Sequence, residues 1–109
     1  MKVTVRPTRS ATWIVEDHQC RGRLEIVVLM NQRGSYGIIE NVFVKEEHRR
    51  SGVATKLIEA AKSIAVEKKL YKLVLTCSEE LKPFYSKLGF GWQEDGQAYC
   101  MRLDFILNN

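Results

Sequence analysis

The spacing of apolar residues along this chain of 109 residues first changes at Gly52. Before Gly52, apolar residues alternate with polar ones or form short β-branched runs such as residues 24–30, a pattern typical of strands. After Gly52, they recur at steps of three and four, which predicts a long amphipathic helix. Strands followed by a strand–helix alternation restrict the chain to a mixed sheet with helices packed on it.

The predicted element order is β-β-β-β-α-β-α-β-β. The strands are expected at residues 3–6, 13–15, 24–30, 36–44, 73–75, 90–93 and 99–106, with turns at residues 31–35 and 94–96. The helices are expected from residue 53 and over residues 81–88, with Pro83 in a first turn and Gly89 as a left-handed cap. We therefore predict an α/β fold with a mixed α+β sheet, in which an antiparallel meander precedes a right-handed β-α-β crossover and a parallel strand pair.

Length and composition predict a single domain over residues 1–109, since 45% of the residues are hydrophobic and no low-complexity tract interrupts them. Apolar runs are strand-sized, so neither a membrane span nor a signal peptide is expected. The three cysteines are widely spaced without a Cys-x-x-Cys pair, which favours neither a disulfide framework nor a metal site. We expect a soluble protein of the reducing cytoplasm.

The charge balance favours anionic partners. Seventeen basic and thirteen acidic side chains give a net charge of +4, and Lys45, Arg49, Arg50 and Lys56 lie close together in sequence. Such clusters are most often solvated surface. No aromatic–basic recognition motif accompanies them, so nucleic acid is not the expected partner.

The segment from residue 46 to residue 55 predicts an anion site. Glycine at position 52 leaves room for a ligand, and the amides of the first helical turn, Ser51 through Thr55, have no partners within the helix. The helix dipole and the side chains of Arg49 and Arg50 favour a phosphate or pyrophosphate there. The alternative is a plain strand-to-helix turn with solvated arginines.

The pattern Arg49-x-x-Gly52-x-Ala54, with an apolar strand before it and a helix after it, resembles the acetyl-CoA signature of the GNAT family of N-acetyltransferases. Residues 84–90, Phe-Tyr-Ser-Lys-Leu-Gly-Phe, resemble that family's second signature, a helix that carries a tyrosine. Locally, Ile39-Glu40-Asn41 and the strand that ends at Cys77 are similar to the glucosamine-6-phosphate N-acetyltransferase branch, although Asn41 replaces an acidic residue usual there.

This resemblance implies direct transfer of an acetyl group from acetyl-CoA to a primary amine. Tyr85 would protonate the departing thiolate, and Glu40 would bind the amine or act as general base. The alternatives are that Tyr85 only packs, that Glu40 faces solvent, that Cys77 is a core residue and that His48 is exposed loop. The residues implied to bind the cofactor are Val42, Phe43, Val44, Arg49, Arg50, Ser51, Gly52, Val53, Ala54, Thr55, Ser78 and Tyr85.

The chain also departs from the family. GNAT members usually place two helices between their first two strands, but here only residues 7–10 separate those strands. The apolar side chains Trp13, Val15, Ile26 and Val28 are therefore expected to form a bare patch, which predicts a homodimer whose partner completes the acceptor groove. The missing helices also motivate a second hypothesis, a non-catalytic acyl-CoA-binding or interaction module.

Overall fold

A computed structural model describes residues 2–7, 11–93 and 100–105. Its elements follow the predicted order. The strands are β1 (Val3–Pro7), β2 (Thr12–Asp17), β3 (Gly22–Asn31), β4 (Gly34–Val44), β5 (Lys72–Thr76), β6 (Gly91–Gln93) and β7 (Cys100–Asp104), and the helices are α1 (Val53–Glu67) and α2 (Lys82–Lys87). Short 3-10 turns at Glu46–His48 and Glu79–Leu81 precede the two helices. Neither helix is long and apolar enough to cross a membrane.

All seven strands form one sheet in the order β1-β2-β3-β4-β5-β7-β6. The antiparallel meander of β1 to β4 and the parallel pairing of β4 with β5 are confirmed. The turn after β3 is shorter than the five residues predicted, because pairing between β3 and β4 continues to Asn31 and Gly34. β7 lies between β5 and β6, an order that the sequence did not predict, and the predicted turn at residues 94–96 lies outside the described residues.

The hydrophobic core lies between one face of the sheet and α1, which contacts β2, β3, β4 and β5. The chain crosses the sheet in one direction twice, from β4 to β5 through α1 and from β5 to β6 through α2. Since such crossovers are right-handed, both helices lie on the same face of the sheet. Consistent with this, Lys62 Nζ of α1 donates to the carbonyl of Leu88, just beyond α2, at 2.9 Å. Within the described residues, the opposite face therefore carries no helix.

The prediction of a bare apolar patch is wrong for its four residues, Trp13, Val15, Ile26 and Val28. Val15 and Ile26 are 0% exposed, because this is the face that α1 covers, and Trp13 and Val28 pack against the same core. The amine of Lys68, at the end of α1, lies 3.9 Å from the centre of the Trp13 ring. The helix-free face instead carries the alternate residues of the strands, and its apolar members include Ile14, Val27, Leu29, Ile38 and Val74.

An ion pair between the buried Asp17 and the half-buried Arg21 holds the turn between β2 and β3. Asp17 is 1% exposed, and its carboxylate accepts hydrogen bonds from the backbone amide, Nε and NH2 of Arg21, the Nε contact at 2.6 Å. These bonds lower the pKa of Asp17 from 3.8 to about 2. The carbonyl of Arg21 in turn accepts from the amide of Lys45 at 2.8 Å, so this turn also anchors the end of β4.

We predict that Asp17→Asn lowers the free energy of unfolding by about 1–3 kcal/mol at pH 7, because Arg21 loses its charged partner. A depressed pKa contributes stability above the unfolded pKa, here 3.8, and that stability is lost as the pH falls towards 2. Urea denaturation at pH 7 and pH 3 should therefore show a smaller difference between the two proteins in acid. Glu16→Gln, the adjacent half-buried carboxylate, is the matched control. A difference that does not shrink at pH 3 would contradict this role of Asp17.

Candidate active site

One extra residue in β4 shapes the end of the sheet near the start of α1. Glu25 and Arg23 are separated by one residue in β3, whereas their partners Glu40 and Phe43 are separated by two in β4. Asn41, in this interval, has φ of 53°, the left-handed conformation that asparagine tolerates better than most residues. The insertion is a β-bulge, which bends the strand and exchanges the faces to which the later residues point.

β4 diverges from β5 before the bulge. Their parallel pairing ends at Ile38 and Val74, so residues 39–44 have no paired residue in β5. A cavity of about 540 Å³ opens here, which we call the strand cavity. Its lining residues are Ile39, Glu40, Asn41, Val42, Leu75, Thr76, Cys77, Leu81 and Tyr85.

A second cavity of about 540 Å³, which we call the helix cavity, lies beside the loop that opens α1. The loop is bent by two left-handed residues, Arg50 with φ of 64° and Gly52 with φ of 85°. It is tied to β4 by the Nε of Arg49, which donates to the carbonyl of Val44 at 3.0 Å, and the hydroxyl of Ser51 donates to the carbonyl of His48. The lining residues are Val42, Val44, His48, Arg49, Arg50, Gly52, Val53, Ala54, Thr55, Leu81, Phe84 and Tyr85.

The helix cavity is suited to an anion. No side chain caps the N-terminus of α1, and its first turn contains no acidic residue, so the first amides and the positive end of the dipole face the cavity uncompensated. A Cβ atom built on Gly52 would meet no other atom within 4 Å, which leaves open space in front of these amides. Two arginines line the same cavity.

Tyr85 lines both cavities, together with Val42 and Leu81. The residue is 5% exposed, and its ring packs edge-on against Phe84 and Phe90 with centroid distances of 4.9 and 5.9 Å. Burial raises the pKa of Tyr85, and the nearby Cys77 adds to the shift. Within the described part of the chain, the hydroxyl forms no hydrogen bond. It is therefore a protonated donor without a protein acceptor, held where the two cavities meet.

The structure brings most of the predicted site residues together. Nine of the twelve residues expected to bind the cofactor line the helix cavity. Glu40 is exposed, as its alternative expected, and it lines the strand cavity, which Tyr85 also lines. Phe43, Ser51 and Ser78 line neither cavity. Phe43 is 52% exposed because the bulge turns its side chain away from the core.

Sequence reasoning missed several lining residues. His48, expected as exposed loop, is half-buried and lines the helix cavity, and its position next to Arg49 was a usable signal. Cys77 packs against the core as predicted, yet it also lines the strand cavity. Leu81 contributes to both cavities, and no local pattern marked it. Within residues 2–7, 11–93 and 100–105, His, Cys, Asp and Glu form no group of three able to hold a metal ion.

A family model described as an acetyltransferase (GNAT) domain matches residues 8–91, most of the chain. The chain belongs to the GNAT acetyltransferase family. The resemblance seen in the two signatures is thereby confirmed, and so is the GNAT-like fold. A crystal structure of an acetyltransferase from Trypanosoma brucei superposes with a TM-score of 0.74 at 30% identity, covering 82% of this chain and 68% of that one.

The chain is also similar to two proteins that are described as N-acetyltransferases. The glucosamine 6-phosphate N-acetyltransferase of Trypanosoma brucei brucei is 41% identical over 68 residues, 62% of this chain and 44% of that protein. The PaiA N-acetyltransferase of Thermoplasma acidophilum, solved with coenzyme A, has a TM-score of 0.68 at 18% identity, covering 86% and 60% of the two chains, and shows the fold alone. The chain spans 34% to 44% of the length of three curated relatives.

We predict that the bulge depends on a residue that tolerates a left-handed backbone. Asn41→Gly should leave the free energy of unfolding nearly unchanged, whereas Asn41→Val should lower it by about 1–2 kcal/mol more, because a β-branched residue is strained at φ of 53°. Both variants lose the bond from Asn41 to Glu25, so their difference reports the backbone alone. Equal urea midpoints for the two variants would contradict a left-handed residue at this position.

Proposed function

We propose that this chain is an acetyl-CoA-dependent N-acetyltransferase that transfers an acetyl group directly to a primary amine. The observation that carries the proposal is the hydroxyl of Tyr85, a buried residue that lines both a cavity suited to an anion and a cavity that contains a carboxylate, and no described residue hydrogen-bonds this hydroxyl. Family membership and the names of the relatives support the same reaction class.

The residues around the helix cavity fit coenzyme A. The pyrophosphate is bound by the uncapped amides of residues 53–55 and by the side chains of Arg49 and Arg50, and it occupies the open space at Gly52. The backbone of residues 42–44, which β5 leaves unpaired, provides for the pantetheine arm. Three residues that line neither cavity are also proposed to lie near the bound cofactor: Phe43, Ser51 and Ser78. Acetyl-CoA supplies an acetyl group activated as a thioester.

Two side chains carry the proton transfers. Glu40, on the strand cavity, accepts a proton from the amine so that the nitrogen can attack as a neutral nucleophile. Tyr85 donates its proton to the departing sulfur, since a phenol is protonated at neutral pH and burial raises its pKa further. The glucosamine 6-phosphate of the relatives' names is one amine to test as acceptor.

A binding module without catalysis is the second candidate. The helix-free face of the sheet favours it, since no described helix closes the strand cavity from that side. CoA release that depends on an added amine would exclude this candidate. Tight binding of CoA without release across a panel of amines would support it.

We also propose a cytoplasmic homodimer. The three cysteines are widely spaced along the sequence without a Cys-x-x-Cys pair, which is consistent with a reducing compartment. Because α1 covers the face that carries Trp13, that face is not the dimer interface. The proposed interface is the apolar row of the helix-free face. Light scattering separates a monomer of 12.6 kDa from a particle of twice that mass.

Coenzyme A should raise the melting temperature of the wild-type protein, because a ligand selective for the folded state stabilises it. Gly52→Val should weaken CoA binding at least about tenfold, since a side chain there occupies the space in front of the α1 amides. Gly34→Val is the matched control, because Gly34 also has a positive φ, 128°, but lies at the far end of β4. Calorimetry that finds unchanged CoA affinity in folded Gly52→Val would move the cofactor elsewhere.

Tyr85→Phe should lower kcat about 10²- to 10⁴-fold and leave CoA affinity and stability nearly unchanged. The stability should hold because the hydroxyl has no hydrogen-bond partner among the described residues to leave behind. Tyr71→Phe, which removes a hydroxyl bonded to Asn31 at 2.7 Å, is the control and should keep wild-type turnover. Wild-type turnover in Tyr85→Phe would assign Tyr85 to packing.

A further inference from the structure

The two cavities that meet at Tyr85 carry opposite charges. The helix cavity is lined by Arg49, Arg50 and His48 and by no carboxylate. The strand cavity has one charged lining residue, Glu40, and none of its described lining residues is Lys, Arg or His. An anionic donor and a cationic acceptor would therefore each find a complementary surface on its own side of Tyr85.

A second carboxylate stands beside Glu40. Glu25 of β3 is the direct cross-strand partner of Glu40, and directly paired residues have Cβ atoms roughly 5 Å apart. Glu25 is not itself a lining residue of the strand cavity, but its carboxylate lies at the border of that cavity, where it accepts a hydrogen bond at 3.2 Å from the side chain of the lining residue Asn41. Like charges placed in this way destabilise a sheet unless a cation lies between them.

The protein offers these two carboxylates little compensation. Within the described residues, the ion pair of Glu25 is with Arg23, whose Nη2 lies at the long distance of 4.0 Å from Oε1 of Glu25. Glu40 forms no ion pair and no hydrogen bond in the part of the chain that the structure describes. Tyr85, 5% exposed and without a hydrogen-bond partner, faces the same cavity and marks it as a place for a ligand.

A phosphate-bearing acceptor does not fit this arrangement. A phosphate dianion would approach two carboxylates, whereas the lining residues of the strand cavity that the structure describes include no cation to bind it. The amine named for the relatives carries such a phosphate. The charges of this site thus differ from those that such an acceptor would require.

We infer that the acceptor is a small primary amine that carries a second positive charge and no phosphate, an inference that rests on the proposed acetyl transfer. Glu25 binds the distal ammonium group, and Glu40 receives a proton from the reacting one. The strand cavity, at about 540 Å³, holds a small diamine or polyamine.

The protons and bonds of this step balance. Glu40 takes one proton from the ammonium, the free amine forms a bond to the thioester carbon, and the bond from that carbon to sulfur breaks. Tyr85 gives its proton to the sulfur, and the second proton of the nitrogen passes to Tyr85 through solvent. The products are the N-acetyl amine, CoA with its thiol, and one proton on Glu40, which is released to solvent.

The test compares amines matched in size. CoA release is measured with 1,4-diaminobutane, with n-butylamine, which lacks the second charge, with glucosamine 6-phosphate and with a lysine-containing peptide. We expect kcat/KM for 1,4-diaminobutane to exceed that of the other three by about tenfold or more. A higher value for glucosamine 6-phosphate, or for the peptide, would overturn the inference and leave the proposed acetyl transfer standing.

Glu25→Gln tests the specificity residue itself. It should raise KM for 1,4-diaminobutane about three- to tenfold, while kcat, CoA affinity and KM for n-butylamine stay within about twofold. Glu67→Gln, the same change at the exposed end of α1, should alter none of these values. An equal rise of KM for both amines, or none, would remove Glu25 from the acceptor site.

Calorimetry of the CoA-loaded protein separates failure of this inference from failure of the proposed function. If 1,4-diaminobutane binds and Glu25→Gln weakens its binding, but no amine releases CoA from acetyl-CoA, the charge preference stands and the proposed transfer is wrong. If CoA is released but 1,4-diaminobutane binds no more tightly than n-butylamine, the transfer stands and the charge preference is wrong. If no amine binds or reacts, both are wrong.

Discussion

The candidate active site depends on one inserted residue in β4. Asn41 adopts a left-handed conformation there, and the register of β4 against β3 shifts by one residue. Because of this β-bulge, Val44 packs against the core while Phe43 turns outward. Parallel pairing with β5 has already ended at Ile38, and the strand cavity lies between the two strands beside the bulge.

The direction of the chain across the sheet places the rest of the site. Because α1 and α2 lie on the same face, the start of α1 and the side chain of Tyr85 approach the diverging end of β4 from one side. The other side stays free of helices in the described part of the chain, and there Glu25 and Glu40 border an apolar row. The two cavities thus receive opposite charges from different elements.

Tyr85 illustrates how stability and function are combined at this junction. Its ring contributes to the core through Phe84 and Phe90, so burial rather than a hydrogen bond fixes its position. No described residue hydrogen-bonds the hydroxyl, and the same burial raises its pKa above the ordinary value of a tyrosine. A phenylalanine could supply the packing, but it could not supply a proton at the meeting point of the two cavities.

The sequence by itself determined the order of the elements, the amphipathic face of α1, the glycine at the start of that helix and the tyrosine of α2. These depend on local periodicity and on backbone preferences, which neighbouring residues along the chain set. Only the tertiary structure decided that α1 covers Val15 and Ile26, that β7 lies between β5 and β6, and that Glu25 stands beside Glu40. Side-chain direction alternates along a strand, so a single bulge exchanges the buried and exposed residues that follow it. The face of the sheet that a helix covers likewise decides which set of alternate residues is buried. That choice depends on strand pairings between residues that are distant in sequence.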